Sequence, residues 1–130
     1  MLIDVQFEGG MKVNALVKGF TIKTDQDKNS GGDGTAPDPF TIFLSAIATC
    51  AGVYTKSFCD QRGIPVNEIS LRMETKSDPE EKMVTNIQIR VHVPSDFPEK
   101  YEHALVHSVS LCAVKRHLSD KILVEIIVSR

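Results

Sequence analysis

Two of the three cysteines in the chain occupy positions suited to thiol chemistry. Cys50 lies within an uncharged stretch, residues 39–55, and Cys112 lies near the end of a second segment with helical spacing. A buried cysteine often acts only as a small apolar side chain. Two thiols on apolar helix faces, each beside small residues, can instead be an attacking and a resolving thiol. The residues leave both interpretations open.

The third thiol, Cys59, belongs to the same predicted helix as Cys50 but points elsewhere. At 100° per residue it lies about 180° from Cys50, so the two cannot act together from one helix. We interpret Cys59 as a bystander. A nucleophilic Cys50 needs a lowered pKa from a cation, a helix terminus or a hydrogen-bond donor. Its own segment supplies only two hydroxyls and Lys56, and the candidate cations elsewhere are Lys18, Lys23, Lys115 and Arg116.

A metal site is the main alternative for the polar residues of the second half. His103 and His107 are four residues apart on one helical face, as in zinc-binding pairs. No HExxH glutamate accompanies them, and Cys112 turns off that face. The cysteines are odd in number and lack CxxC spacing, which argues against a zinc ribbon or a disulfide scaffold. We therefore predict no metal, and a solvated stripe of Glu102, His103 and His107.

Composition limits the partners of the chain. A length of 130 residues with 42% hydrophobic side chains predicts a single domain over residues 1–130. The net charge of −2 comes from mixed acids and bases without a basic block, so we expect no nucleic-acid partner. The first residues lack the cationic start and apolar run of a signal peptide, which predicts a cytoplasmic protein.

The uncharged stretch 39–55 raises the possibility of a membrane span. It contains a proline, a glycine and several hydroxyl side chains, and it is shorter than the roughly 20 residues that a span needs. We therefore expect a helix buried in the protein core and no membrane partner.

The period of the hydrophobic pattern changes along the chain. Residues 2–22 alternate at a period of two between glycine turns, which predicts a three-strand meander. Residues 24–38 are rich in Asp, Asn, Ser and Gly and lack any period. Their glycines do not follow a phosphate-binding motif, so we predict a long mobile loop of the kind that serves a site.

A long central helix follows this loop. Asp38 is a suitable N-cap and Pro39 a suitable first helical residue, and Arg62-Gly63 closes the segment. The apolar stripe that we expect to face the core consists of Phe40, Phe43, Leu44, Ile47, Ala51, Tyr54 and Phe58.

The remaining pattern predicts an antiparallel strand pair at 69–76 and 83–93, a helix at 98–111, a short helical piece at 114–118 and a closing strand at 122–128. Runs of strands dominate over strict βα alternation, which is typical of an α+β domain.

Two segments together resemble one known family. Ala36-Pro37-Asp38-Pro39, followed by Ala46 to Ala51, resembles the central-helix motif of the OsmC/Ohr family, in which a loop ending in proline opens the helix that carries the first cysteine. Leu111 to Leu118 is similar to the family's second-cysteine segment, usually Cys-Pro-Val, with Ala113 in place of the proline. The order of elements agrees over nearly the whole chain. The resemblance implies an α+β fold and an intertwined homodimer.

The resemblance also implies an activity, the thiol-dependent reduction of hydroperoxides in oxidative stress. Cys50 would be the peroxidatic thiolate and Cys112 the resolving thiol, and an external dithiol would reduce their disulfide. The chemistry requires no metal, haem or flavin cofactor. Phe40, Thr41, Phe43 and Tyr54 are the candidate substrate-binding residues, suited to a bulky small-molecule hydroperoxide; the apolar ones are equally consistent with core packing.

The sequence departs from active members of the family at two places. These members carry a glutamate nine or ten residues before the first cysteine, where this chain has Thr41 and Phe40. They also carry an arginine near the N-terminal strands, whereas the first arginine here is Arg62. We therefore expect Cys50 to titrate near an ordinary thiol and turnover to be slow. The alternative function is binding of a small apolar or thiol-reactive ligand without peroxidase turnover.

Overall fold

The computed structural model describes residues 1–118 and 123–130 of the chain. The chain divides into two compact units, Met1–Ser45 and Ala46–Arg130, and each unit is described by itself. The assignment of residues 1–130 to a single domain stays a prediction.

The N-terminal unit opens with the meander that the alternating pattern predicts. Strands β1 (Asp4–Gly9), β2 (Lys12–Val17) and β3 (Phe20–Ile22) pair antiparallel in the order β1-β2-β3. Gly10 and Gly19, at φ of +57° and +81°, take the left-handed backbone of the two tight turns, which glycine adopts without a steric penalty. Apolar side chains of this sheet are largely uncovered in one chain; Phe7, for example, is 82% exposed.

The loop after the meander is held by a buried carboxylate. Asp25 accepts hydrogen bonds from the backbone N–H groups of Gln26 (2.8 Å) and Thr35 (3.0 Å) and from the Thr35 hydroxyl (2.8 Å). Gly32 packs so closely that an added Cβ would lie 2.0 Å from the Gln26 carbonyl oxygen. The prediction of a mobile loop is therefore wrong about this segment, which is a hydrogen-bonded framework with a 3-10 turn at Lys28–Ser30.

Helix α1 (Pro39–Asp60) begins where the capping residues predict. The Asp38 carboxylate accepts the N–H groups of Phe40 at 2.9 Å and Thr41 at 3.0 Å, which satisfies donors that have no partner inside the helix. By length and composition the helix is apolar enough to cross a membrane, a property that core helices share. Its buried residues are Ile47, Ala51, Thr55, Phe58 and Cys59.

The predicted core stripe of α1 is correct only in part. Ile47, Ala51 and Phe58 are buried, whereas Phe40 is 53% exposed and Phe43 is also exposed. The two exposed rings stack on each other with centroids 5.8 Å apart. Core packing within the chain therefore does not account for them.

The C-terminal unit contains a mixed sheet. Strands β4 (Ser70–Ser77) and β5 (Val84–His92) pair antiparallel, as predicted, and β6 (Leu123–Ser129) pairs parallel with β5. The first residue of the predicted closing strand, Ile122, lies outside the described residues. The core side chains of β5 alternate along the strand and are Ile87, Ile89 and Val91, with Val93 just beyond its end.

Two short helices connect β5 to β6. Helix α2 (Glu102–Ser110) follows a 3-10 turn and buries Leu105 and Val109. Helix α3 (Ala113–Arg116) begins two residues after α2 ends. Of the stripe predicted to be solvated, His103 and His107 are exposed, but Glu102 is half-buried and pairs with the Arg130 guanidinium. The mixed α+β architecture agrees with the predicted fold class.

Candidate functional site

The structure brings Cys50 and Cys112 together inside the C-terminal unit. Cys50 projects from the middle of α1 and is half-buried, and Cys112 is only 2% exposed. Cys112 is the residue that precedes α3, so the turn between α2 and α3 carries its thiol to Cys50. The thiol of Cys112 hydrogen-bonds to the sulfur of Cys50, and both cysteines are free thiols.

The surroundings shift the pKa values of the two thiols in opposite directions. Burial opposes ionisation of Cys50, but the Cys112 thiol and the backbone N–H groups of Val114 and Ala113 outweigh it, so the pKa of Cys50 is lowered. Burial and the contact with Cys50 raise the pKa of Cys112, against a smaller opposite effect of the Lys115 N–H. Cys50 is therefore the thiol that ionises first and Cys112 the one that keeps its proton.

Whether Cys50 titrates nearer an ordinary or an activated thiol stays a prediction, because this geometry gives only the direction in which its pKa is lowered. The expectation of a nearly ordinary thiol rests on the absence of the glutamate and the arginine that active family members carry. Two backbone N–H groups and a neighbouring thiol lower the pKa of Cys50 without a charged side chain, because a hydrogen bond to the charged form of a group favours that form.

Cys59 has a different environment. It is fully buried, and burial, followed by the nearby charge of Asp60, raises the pKa of its thiol. The helix places it away from Cys50, as the angle along the helix predicts. It is the more deeply buried of the two, so Cys59 rather than Cys50 belongs to the buried face of α1.

The candidate cations do not account for the ionisation of Cys50. Within the described part of the C-terminal unit, no charged side chain contributes to its pKa shift. Arg62 stacks on the Phe58 ring, with its guanidinium carbon 3.7 Å from the ring centroid, and donates to the Phe58 carbonyl at 3.0 Å. Neither Lys115 nor Arg116 is among the groups that lower the pKa of Cys50, and the Arg116 N–H donates to the Cys112 carbonyl at 3.1 Å.

The four predicted substrate-binding residues fall in both units. Phe40, Thr41 and Phe43 belong to the N-terminal unit, and the Thr41 hydroxyl donates to the Asp38 carboxylate that caps the helix. Tyr54 is half-buried in the C-terminal unit, one helical turn beyond Cys50. Their role in substrate binding stays a prediction.

The sequence around the two thiols matches a known family. The profile of the family described as OsmC-like protein matches residues 32–127, a range that includes both Cys50 and Cys112. The chain belongs to the OsmC-like family. No curated protein matches it by sequence.

Solved structures agree with this OsmC-like assignment at the level of the fold. A protein assigned to the osmotic stress and detoxification response of Psychrobacter arcticus 273-4 is 16% identical, with a TM-score of 0.80 over 97% of this chain and 93% of that one. An organic hydroperoxide resistance protein OsmC from Legionella pneumophila is 18% identical, with a TM-score of 0.65 over 100% and 98%.

A third solved structure contains a small molecule. It is a protein from Vibrio cholerae assigned as an organic hydroperoxide resistance protein, with captopril bound in one of its active sites. It is 16% identical, with a TM-score of 0.68 over 98% of this chain and 91% of that one. At sequence identities this low, the TM-scores show a shared fold and no more.

In this OsmC-like protein, sequence reasoning missed the backbone part of the site. The N–H groups of Ala113 and Val114 help to lower the pKa of Cys50, yet the identity of a side chain does not reveal where its amide points. One signal was present, because the alanine at position 113 has an N–H that a proline there would lack. Among residues 1–118 and 123–130, no group of three or more His, Cys, Asp and Glu side chains is arranged to hold a metal ion.

Proposed function

We propose that this protein is a thiol-dependent hydroperoxide reductase that uses Cys50 and Cys112. The observation that supports the proposal most is the polarised pair, in which Cys50 has the lowered pKa and Cys112 the raised one. A thiolate is the nucleophile in such chemistry, and the protonated neighbour is held in contact with it.

The reaction proceeds in two steps at the sulfurs. The Cys50 thiolate attacks the terminal, hydroxyl oxygen of the hydroperoxide and the O–O bond breaks. Cys50 becomes a sulfenic acid, and the alkoxide takes a proton from water and leaves as the alcohol. The sulfur of Cys112 then loses its proton and attacks the Cys50 sulfur, which forms the disulfide and releases water. An external dithiol returns both thiols by disulfide exchange and is itself oxidised. A cytoplasmic location, where thiols are kept reduced, would supply such a dithiol.

The rate of this reaction is expected to be modest. Phe40 and Thr41 stand at the sequence positions where active relatives are expected to have a carboxylate, so this chain lacks that charged orienting group. A catalytic group of this kind contributes on the order of 10² or more in rate. Tyr54, half-buried one helical turn beyond Cys50, suits a bulky organic hydroperoxide better than hydrogen peroxide.

A second function deserves a direct test, because no cation acts on Cys50 in the described part of the C-terminal unit. The site would then bind a small apolar or thiol-reactive ligand without turnover. The Vibrio cholerae structure with captopril, a small molecule in an active site, supports this alternative.

A steady-state assay separates the two functions. Consumption of cumene hydroperoxide is followed with a dithiol reductant, for the wild type and for Cys59→Ser as a matched cysteine control. Turnover in both proteins, lost in Cys50→Ser, supports the reductase. If captopril raises the melting temperature of the protein but the protein consumes no hydroperoxide, the ligand-binding alternative is supported and the reductase function is contradicted.

We also propose that the protein is a homodimer. Each unit of one chain leaves large apolar side chains exposed, among them Phe7 on β1 and Val53 on α1, which is 65% exposed. An obligate interface resembles a domain core cut in half, so such side chains are expected where a second copy covers them. No membrane and no nucleic acid is proposed as a partner.

A further inference from the structure

One face of the C-terminal sheet carries a cluster of cationic side chains that the thiol chemistry does not use. Arg72 on β4 is directly opposite Arg90 on β5. His92, the next residue of β5 on that face, lies opposite a serine on each neighbouring strand. Side chains alternate between the two faces of a strand, so this face is the one that turns away from the core residues of β5. An open groove of about 250 Å³, here called the basic groove, is lined by Ser70, Arg72, Arg90, His92 and Ser129.

The two arginines of the basic groove face each other without a carboxylate between them. Directly opposite side chains on neighbouring strands have Cβ atoms about 5 Å apart, and like charges placed so destabilise a sheet. Among the residues that the structure describes, the Arg72 guanidinium forms no hydrogen bond or ion pair, and Arg90 forms no ion pair. The next row of the sheet contains Glu74 and Glu125, on either side of Gln88, and neither pairs with an arginine. An anion bound between the two guanidinium groups would offset their repulsion.

Arg90 is oriented by hydrogen bonds along the face of the sheet. Its Nη2 donates to Oε1 of Gln88 at 3.2 Å, and Nε2 of Gln88 donates to Oε2 of Glu125 at 3.3 Å. A guanidinium group has five N–H donors, so the bond to Gln88 leaves the others available to a ligand. The Arg90 fork is therefore held in place on one side of the groove, and the Arg72 fork lies opposite it.

We propose that the basic groove binds the phosphate group of a small, soluble phosphate monoester. Guanidinium forks bind phosphate oxygens in pairs, and here one fork approaches from β4 and the other from β5. The ring of His92 and the two serine hydroxyls add donors, and two arginine charges match a phosphate dianion. No apolar side chain lines the groove, so it offers no contact to the acyl chains of a lipid.

The inference goes beyond the proposed reductase and does not depend on it. The groove lies entirely within the C-terminal unit. The apolar side chains assigned to the dimer interface, Phe7 and Val53, belong to β1 and α1 rather than to β4, β5 or β6. The basic groove is therefore separate from the surface that the second copy is expected to cover.

Isothermal titration calorimetry with inorganic phosphate, at constant ionic strength, tests the site on the reduced protein. We expect saturable binding of one phosphate per chain. Arg72→Gln and Arg90→Gln should each weaken binding about tenfold or more, the loss expected for hydrogen bonds to a charged group. Arg72→Lys should weaken it less than Arg72→Gln, because lysine keeps the charge but not the fork.

Lys76→Gln is the matched control. It removes one positive charge from the same face of β4 but outside the groove, and it should bind phosphate as the wild type does. Circular dichroism establishes that each variant is folded, which is expected because Arg72, Lys76 and Arg90 are exposed. A wild type without saturable binding, or an equal loss in Lys76→Gln and the arginine variants, would overturn the inference.

Two further probes distinguish the sources of a phosphate group. Glycerol 3-phosphate should bind with at least the affinity of inorganic phosphate, and its binding should also be lost in Arg72→Gln. Vesicles of phosphatidylcholine and phosphatidic acid should not sediment the protein. Sedimentation with these vesicles that Arg72→Gln abolishes, without binding of glycerol 3-phosphate, would overturn the assignment to a soluble ligand.

Discussion

The hydrogen bond between the thiols of Cys112 and Cys50 shifts their two pKa values in opposite directions. The proton of Cys112 stabilises the Cys50 thiolate, and that same contact makes Cys112 harder to ionise. Before oxidation the pair therefore has one reactive sulfur. After Cys50 is oxidised the thiolate no longer holds the Cys112 proton, and Cys112 can attack as the resolving thiol.

The roles of the two thiols predict different phenotypes for the two serine variants. Cys50→Ser removes the nucleophile and should abolish hydroperoxide consumption. Cys112→Ser keeps the nucleophile but not the resolving thiol, so a sulfenic acid on Cys50 should accumulate and be trapped by dimedone. Mass spectrometry of the adduct measures this. Equal loss of activity with no adduct in Cys112→Ser would contradict the assignment.

The Cys112 donor predicts a pH effect with a definite sign. The pKa of Cys50 is lowered, so its reaction with cumene hydroperoxide should rise with pH, with a midpoint below the ordinary thiol value of 9.0. Cys112→Ala removes the donor and should move this midpoint to higher pH. Cys112→Ser retains a hydroxyl donor and should move it less. Initial rates of the first thiol oxidation against pH test this, and a lower midpoint in Cys112→Ala would refute it.

The buried carboxylate of the first loop predicts a pH-dependent stability. Hydrogen bonds, led by that of the Thr35 N–H, lower the pKa of Asp25 to about 2. Because the folded pKa lies below the ordinary value of 3.8, this stabilisation is complete above pH 3.8 and is lost as the pH falls towards 2. Asp25→Asn should lower the Tm at pH 7 by about 5 °C or more.

Thermal unfolding at pH 7 and pH 3 measures this effect, and the Tm difference between wild type and Asp25→Asn should shrink at the lower pH. Asp4→Asn is the control, since that side chain lies on the exposed strand β1. A difference that grows on acidification would argue against the role given to Asp25.

The exposed apolar face of α1 predicts a dimer that a single charge weakens. Light scattering of the wild type at micromolar concentration should give twice the mass of one chain. Val53→Lys places a charge on that face and should shift the population towards monomer. His103→Lys adds the same side chain on the exposed surface of α2 and should remain dimeric. A monomeric wild type that is folded and active would contradict the dimer.

Local signals explain which parts of the fold the sequence predicts. The Asp38-Pro39 cap and the alternation along β1, β2 and β5 act within a few residues, and the structure agrees with them. The parallel pairing of β6 with β5 joins distant residues and leaves no local trace. The framework around Asp25 was also missed, because its carboxylate is satisfied by amides that composition does not reveal.

The candidate site shows the same division. The spacing and apolar surroundings of Cys50 and Cys112 single out these thiols among the three, and the structure places them in contact. The direction of the Cys50 pKa shift could not be predicted, because it depends on the Cys112 thiol and on backbone N–H groups rather than on side-chain charges. The exposure of Phe40 likewise could not be predicted from its helical spacing.

The central claim is that Cys50 and Cys112 act as one redox pair, and a single-turnover oxidation tests it most directly. One equivalent of cumene hydroperoxide is added to the reduced protein, and the products are mapped by peptide mass spectrometry. The account predicts one equivalent of alcohol, an intramolecular Cys50–Cys112 disulfide and an unmodified Cys59. A dominant bridge that includes Cys59, or hydroperoxide consumed without oxidation of Cys50, would contradict it.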